Sequence, residues 1–161
     1  MADYTCMRLA LGADHAGYSM KQELADKLAQ QGHTVLDLGT HSTAPCDYPD
    51  AAEAVAVALN DHRADRGIIV CGSGAGVSIA ASKFPGIRAA VCHDTYTAHQ
   101  AVEHDDMNVL CLGARVIGPA LGLEIAEAFV KATFSGADRH QRRLDKVLAI
   151  ERRFTATTTR T

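Results

Sequence analysis

The chain has 161 residues, 47% of them apolar, which is enough for one well-packed core and too little for two ordinary domains. A net charge of −3 excludes the strongly basic balance expected of a nucleic-acid or anionic-membrane binder, and no apolar run approaches the length of a membrane span. The opening MADYTCMRLALG lacks a signal-peptide pattern, and Cys6, Cys46, Cys71, Cys92 and Cys111 form no C-x-x-C pair; a reducing, cytoplasmic setting follows, with neither a disulfide framework nor a zinc knuckle.

MRLALGAD reads as a first strand, followed by a helix over GYSMKQELADKLAQQG in which Met20, Leu24 and Leu28 recur every four residues and Gly32 is placed to close the C-terminus. HTVLDLG is a second strand. A loop holding Pro45 and Pro49 leads into the Ala/Val-rich helix DAAEAVAVALNDH. RGIIVCG is a third strand with the helix AGVSIAASKF behind it. GIRAAVCHD is a fourth strand and TYTAHQAVEHD its helix. NVLCLGARV is a fifth strand, and PALGLEIAEAFVKATF begins a helix at Pro119. The basic segment DRHQRRLDKVLAIERRF forms an extra C-terminal helix. Residues 1–154 read as one domain and 155–161, with nothing to bury, as a disordered tail.

Strands alternating with helices, several too apolar for a solvated face, predict an α/β fold: a five-stranded parallel sheet covered on both sides. Ligands of such sheets sit beyond the strand C-termini, where the strand order reverses. Asp14 and His15 end the first strand, Cys71 to Gly76 follow the third, and His93 and Asp94 end the fourth. The loop CGSGAG offers bare backbone N–H groups running into a helix, a cradle for an anion. It is not G-x-G-x-x-G, no Walker lysine follows, and Ser78 in GVSIA lacks the last glycine of a hydrolase elbow. By itself the loop also suits close strand–helix packing, and Cys71 alone suits a buried filler. Beside a helix N-terminus, however, a thiolate is favoured.

GADHAG, DYP, CGSGAGVSIAASKFPGIRAA, VEHDDMNVLCLGARV and DRHQRR stand in the order and spacing of type B ribose-5-phosphate isomerases, a family that includes allose- and galactose-6-phosphate isomerases. The chain resembles that family over residues 7 to 153. The resemblance implies a Rossmann-like three-layer αβα sandwich, a metal-independent aldose–ketose isomerase without cofactor, and a homodimer or tetramer with active sites at the subunit interface. It implies Cys71 as the base, Ser73 as a proton relay between sugar oxygens, and the amides of Gly72, Gly74 and Gly76 as an anion hole. It further implies His104 as the ring-opening residue, Asp14 near the sugar hydroxyls, and Tyr48 lining the site. His15, Arg115, Arg139 and Arg143 match its phosphate contacts, and Asp105 and Asn108 further substrate contacts. Arg139 and Arg143, four apart, share a helix face. Asp105 stands where relatives often carry Asn, and Ser82 where AANK is more usual. His140, Arg142, Arg152 and Arg153 read as surface or interface residues. The implied substrate is ribose 5-phosphate, with a six-carbon sugar phosphate as alternative. A flavodoxin-like nucleotide-binding module and a thiol redox protein built on Cys71 are the readings outside isomerase chemistry.

Overall fold

The computed structural model describes residues 6–155. Five strands, β1 (Arg8–Ala13), β2 (Thr34–Asp37), β3 (Arg66–Cys71), β4 (Ala89–Val91) and β5 (Val109–Gly113), form one parallel sheet in the order β2-β1-β3-β5-β4. The helices are α1 (Tyr18–Gln30), α2 (Tyr48–Asn60), α3 (Ala75–Ala81), α4 (Thr95–Asp105), α5 (Pro119–Lys131) and α6 (Asp138–Thr155). The three-layer α/β arrangement expected from the alternating pattern is the one observed.

Alternation along the central strands divides the core. Leu9, Leu11, Ile68, Val70, Leu110 and Leu112 face α1, α4 and α5 through Leu24, Leu28, Val102, Ile125 and Phe129. Their neighbours Ala10, Ile69, Cys71, Val109 and Cys111 face α2 and α3 through Val55, Ala56, Val77 and Ala81. Both faces of β3 are therefore sealed from water, which is why it reads as a continuous apolar run. The course of the chain from β1 goes outward to β2 and then back across to β3. That reversal puts the loops after β1 and β3 side by side, at the crevice where ligands of open α/β sheets bind.

Two elements are shorter than their patterns suggest. α3 stops at Ala81 and β4 spans only Ala89–Val91, because Pro85 and Gly86 (φ +78°) turn the chain between them. α6 runs through Thr155, so the expected tail is helical at its first residue; residues 156–161 lie outside the described residues. Two buried charges hold the frame. The Arg66 guanidinium donates to the carbonyls of Phe129, of Val130 at 3.2 Å and of Ala132 at 2.7 Å, satisfying the C-terminal end of α5. Lys21, with no exposed side-chain surface, pairs with Asp37 at the end of β2.

Candidate active site

A cleft of about 340 Å³ opens at the C-terminal ends of β1 and β3, lined by Asp14, Tyr48, Cys71, Gly72, Ser73, Gly76, Arg115 and Val116. Each wall has a local cause. Asp14 is buried, and its Oδ1 accepts from the amides of Ala16 at 2.9 Å and Gly17 at 3.0 Å, which fixes the carboxylate. Tyr48 opens α2 directly before Pro49, whose fixed φ suits a helix first turn. Its ring lies on Gly76: a Cβ there would come within 3.0 Å of Tyr48 Cε2. The Arg115 guanidinium lies over Gly72, held by the Arg115 amide donating to the Gly72 carbonyl at 3.0 Å. His15, at the rim, has Nδ1 3.3 Å from both the amide nitrogen and the carbonyl oxygen of Cys46, tying the loop before α2 to the end of β1.

Cys71 ends β3 with 4% of its surface exposed, and the Gly74 N–H donates to its Sγ at 3.1 Å. An amide aimed at sulfur stabilises negative charge there. Gly74 does so at φ +81°, a left-handed conformation that glycine adopts at little cost. Of the three glycines, Gly74 gives its amide to the sulfur, and Gly72 and Gly76 line the same cleft. Ser73 is exposed beside Cys71, and its Oγ accepts from the Ala75 amide at 3.2 Å.

The two polar residues that end the fourth strand are bonded to neighbouring elements. Asp94 caps α4, accepting from the Thr97 amide at 2.6 Å and hydroxyl at 2.7 Å, while His93 Nε2 accepts from the Gly113 amide at 3.0 Å. Two further cysteines, Cys92 and Cys111, are buried in the core. Burial, then the neighbouring Asp94, pushes the Cys92 thiol up to about 11, and burial raises the Cys111 thiol further.

The remaining candidates stand elsewhere. α4 runs back from the C-terminal edge of the sheet, so over roughly 16 Å it carries His104 and Asp105 to the opposite edge. There His104 meets the start of α6, stacked on His140 with ring centroids 4.0 Å apart. Arg139 and Arg143 are exposed on the same helix end. One chain thus presents two separate clusters: Asp14, His15, Tyr48, the Cys71 loop and Arg115 at one edge, His104, Asp105, Arg139 and Arg143 at the other.

Asn108 joins neither cluster as a free group. It precedes β5, where its Oδ1 accepts from the Arg88 amide at 2.8 Å and its Nδ2 donates to the Gly86 carbonyl at 2.8 Å. Arg88 in turn holds the Asp106 carbonyl at 2.6 Å and carboxylate at 2.8 Å, fixing the turn that follows His104. One bond from each side-chain atom thus ties Asn108 to the Gly86–Arg88 segment. His140, read from sequence as a surface or interface residue, is instead 3% exposed, because the stack on His104 and the neighbouring Leu144 cover it. Only its helical offset of four from Leu144 could have signalled this. Among the described residues, no three His, Cys, Asp or Glu side chains converge as a metal site.

The model of the ribose/galactose isomerase family matches residues 9–147. Ribose-5-phosphate isomerase B of Escherichia coli is 44% identical over 146 residues, covering 91% of this chain and 97% of its own. The D-erythrulose-4-phosphate isomerase of Pectobacterium atrosepticum is 45% identical over 81% of this chain and 86% of its own. The structure of ribose-5-phosphate isomerase B from Clostridium thermocellum superposes with a TM-score of 0.89 at 47% identity, covering 92% of this chain and 99% of that one. A match running through both clusters, from the first strand to the last helix, leaves one assignment: the chain belongs to the ribose/galactose isomerase family.

Proposed function

We propose that this protein is an aldose–ketose isomerase that interconverts ribose 5-phosphate and ribulose 5-phosphate. The observation that carries the reading is the Cys71 sulfur at the floor of the switch-point cleft, receiving the Gly74 N–H. In the forward direction the thiolate removes the C2 proton of the open-chain aldose. The C–H electrons form the C1=C2 bond of an enediolate, and the thiol returns its proton to C1. Ser73, exposed next to the sulfur, carries the proton that must pass between O1 and O2. Asp14, held by two amides, orients the sugar hydroxyls, and the Arg115 guanidinium over Gly72 adds positive charge at the cleft. Preorganised donors of this kind act most strongly on charge that develops in the transition state.

The cleft lacks two things the reaction needs: a group to open the cyclic sugar and a full grip on the phosphate. His104, Arg139 and Arg143 have the chemistry for both but stand at the far edge of their own sheet. A second copy supplies them in this reading, making the protein a homodimer or a multiple of one. The apolar side chains left exposed on α6, Val147, Ile150 and Phe154, together with Ile79 on α3, support such a contact. No helix among the described residues is long and apolar enough to cross a membrane, and the free thiols Cys6, Cys46, Cys71, Cys92 and Cys111 suit a reducing, cytoplasmic setting.

The test is subunit complementation. Cys71→Ala and the double variant Arg139→Ala/Arg143→Ala are each assayed alone, then mixed after reversible dissociation. Each alone should be nearly inactive on ribose 5-phosphate, and heterodimers should regain one intact site. Heterodimers that form without activity would show that the arginines act in their own subunit. Parallel assays with erythrose 4-phosphate, allose 6-phosphate and galactose 6-phosphate fix the chain length preferred; ribose 5-phosphate should give the highest kcat/KM.

A further inference from the structure

His140 has both ring nitrogens engaged. Nδ1 lies 2.6 Å from Ser135 Oγ, and Nε2 accepts from the Arg139 Nε–H at 3.1 Å. A guanidinium can only donate, so Nε2 carries a lone pair and the ring proton sits on Nδ1, given to Ser135. Ser135 is itself anchored to α4, its amide donating to the Glu103 carbonyl at 3.0 Å, and its Oγ accepts from the Ala137 amide at 3.2 Å. The opposite face of the ring stacks on His104, whose Nδ1 lies 2.8 Å from Gln100 Nε2. One buried imidazole therefore touches both the arginine and the histidine of the second cluster, and α6 rests on α4 at this point.

We propose that His140 is a positioning residue whose neutral, Nδ1-protonated form holds Arg139 and His104 in the orientation in which they are presented to the cleft of a second copy. This inference rests on the reading that the α4–α6 cluster completes that cleft. Protonation of Nε2 would set N–H against N–H at Arg139 and place a third cation beside Arg139 and Arg143. The groups facing the ring are His104 and Glu103 from α4 and Arg139 and Arg143 from α6; only Glu103 is acidic. Burial, then His104 and the two arginines, holds the His140 imidazole below its ordinary pKa, with Glu103 opposing.

The experiment combines histidine-labelled NMR of the full-length protein with kinetics on ribose 5-phosphate across pH. The spectrum should show His140 protonated at Nδ1 and unprotonated at Nε2 near neutral pH. His140→Ala should raise KM by roughly tenfold or more, as expected when a charged contact loses its support, with a smaller effect on kcat. The wild-type KM should rise at acid pH as His140 takes up a proton; His140→Gln keeps an acceptor for Arg139 without titrating, so it should recover most of the KM and lose that acid-side rise. Ser135→Ala should shift KM in the same direction as His140→Ala. An Nε2-protonated or charged His140 at neutral pH would overturn the proposal. So would an undiminished acid-side rise in KM in His140→Gln together with a wild-type KM in Ser135→Ala, which decide the matter even if His140→Ala does not fold. Arg139→Ala and His104→Asn separate the levels. If they impair turnover and the His140 variants do not, the positioning role alone fails; if they too behave as wild type, the reading beneath it fails and takes the proposal with it.

Discussion

The Gly74 amide reaches the Cys71 sulfur at 3.1 Å only because Gly74 sits at φ +81°. An alanine there is strained by about 1–2 kcal/mol in that conformation, and its Cβ would approach the Leu112 carbonyl carbon at 3.1 Å and Val91 Cγ1 at 3.2 Å. Either the turn opens or the amide swings off the sulfur. Gly74→Ala should therefore lower kcat by at least ~10-fold, while Cys71→Ala should lower it by ~10²–10⁴-fold, the range of a lost general base. Peptide-resolved iodoacetamide labelling separates the causes. Labelling of Cys71 should slow in Gly74→Ala; an unchanged rate alongside unchanged turnover would mean that the amide does not activate the thiol.

Tyr48 and Gly76 form a second pair, with the ring filling the space a Cβ would need. Gly76→Ala must displace the ring by a few tenths of an ångström, moving one wall of the cleft. Tyr48→Phe keeps the ring on Gly76 and removes only the hydroxyl. Gly76→Ala should raise KM for ribose 5-phosphate more than Tyr48→Phe does. The reverse order would show that the hydroxyl, and not the placement of the ring, is what the substrate meets.

Much of this was legible in the sequence because the signals were local. Met20, Leu24 and Leu28 announce the buried face of α1, Gly32 adopts the expected left-handed turn at φ +94°, and the run through Ile68 to Cys71 is sealed on both faces. The motif residues that share the cleft lie directly after β1, β3 and β5 or at the start of α2, where element ends are easy to place. What stayed hidden depends on neighbours distant in sequence. Strand order cannot be read from one chain's periodicity, so β5 lying between β3 and β4 had no signature. The bonds of Asn108 to Gly86 and Arg88, twenty residues and more away, have no signature in the motif that contains it. The Lys21–Asp37 pair and the His104–His140 stack were invisible for the same reason.

The Lys21–Asp37 pair should respond unequally to loss of its two halves. Lys21 is 0% exposed whereas Asp37 keeps 30% of its side chain in solvent and also accepts from the Gly39 amide at 3.0 Å. Asp37→Asn leaves a buried ammonium without its anion, a change that costs about 3–5 kcal/mol. Lys21→Met puts an apolar chain of similar length into the same space and leaves a carboxylate that water can still reach. Urea midpoints at neutral pH should thus fall much further for Asp37→Asn than for Lys21→Met. Equal losses would mean that the pair's mutual geometry, and not the burial of the cation, sets its contribution.

Acidification should destabilise the protein in two separate stages. Burial, aided by Lys131, lowers the His33 pKa, and burial with its cationic neighbours lowers that of His140, both from an ordinary value of 6.5. Below that value the unfolded chain takes up protons that the folded chain refuses, so stability is fully present above it and falls as the pH drops beneath it. The carboxylates form the second stage. The Arg8 hydrogen bond lowers Asp65, Lys131 and Gln31 lower Glu127, and for Asp37 the bonds from Lys21 and Gly39 outweigh the opposing effect of burial. Their ordinary values are 3.8 for aspartate and 4.5 for glutamate, so the stability they contribute is present above those values and is lost below them. Urea titrations should show a plateau between neutrality and about pH 9, above which the raised Cys92 and Cys111 thiols cost stability, then on the acid side a first decline starting near 6.5 and a second starting near 4.5. The double variant His33→Gln/His140→Gln cannot take up protons at either site, and glutamine can still accept from the Met7 and Arg139 donors. It should lose the first decline and keep the second. A first decline that persists unchanged in that variant would assign it to other groups and remove His140 from the account of acid sensitivity.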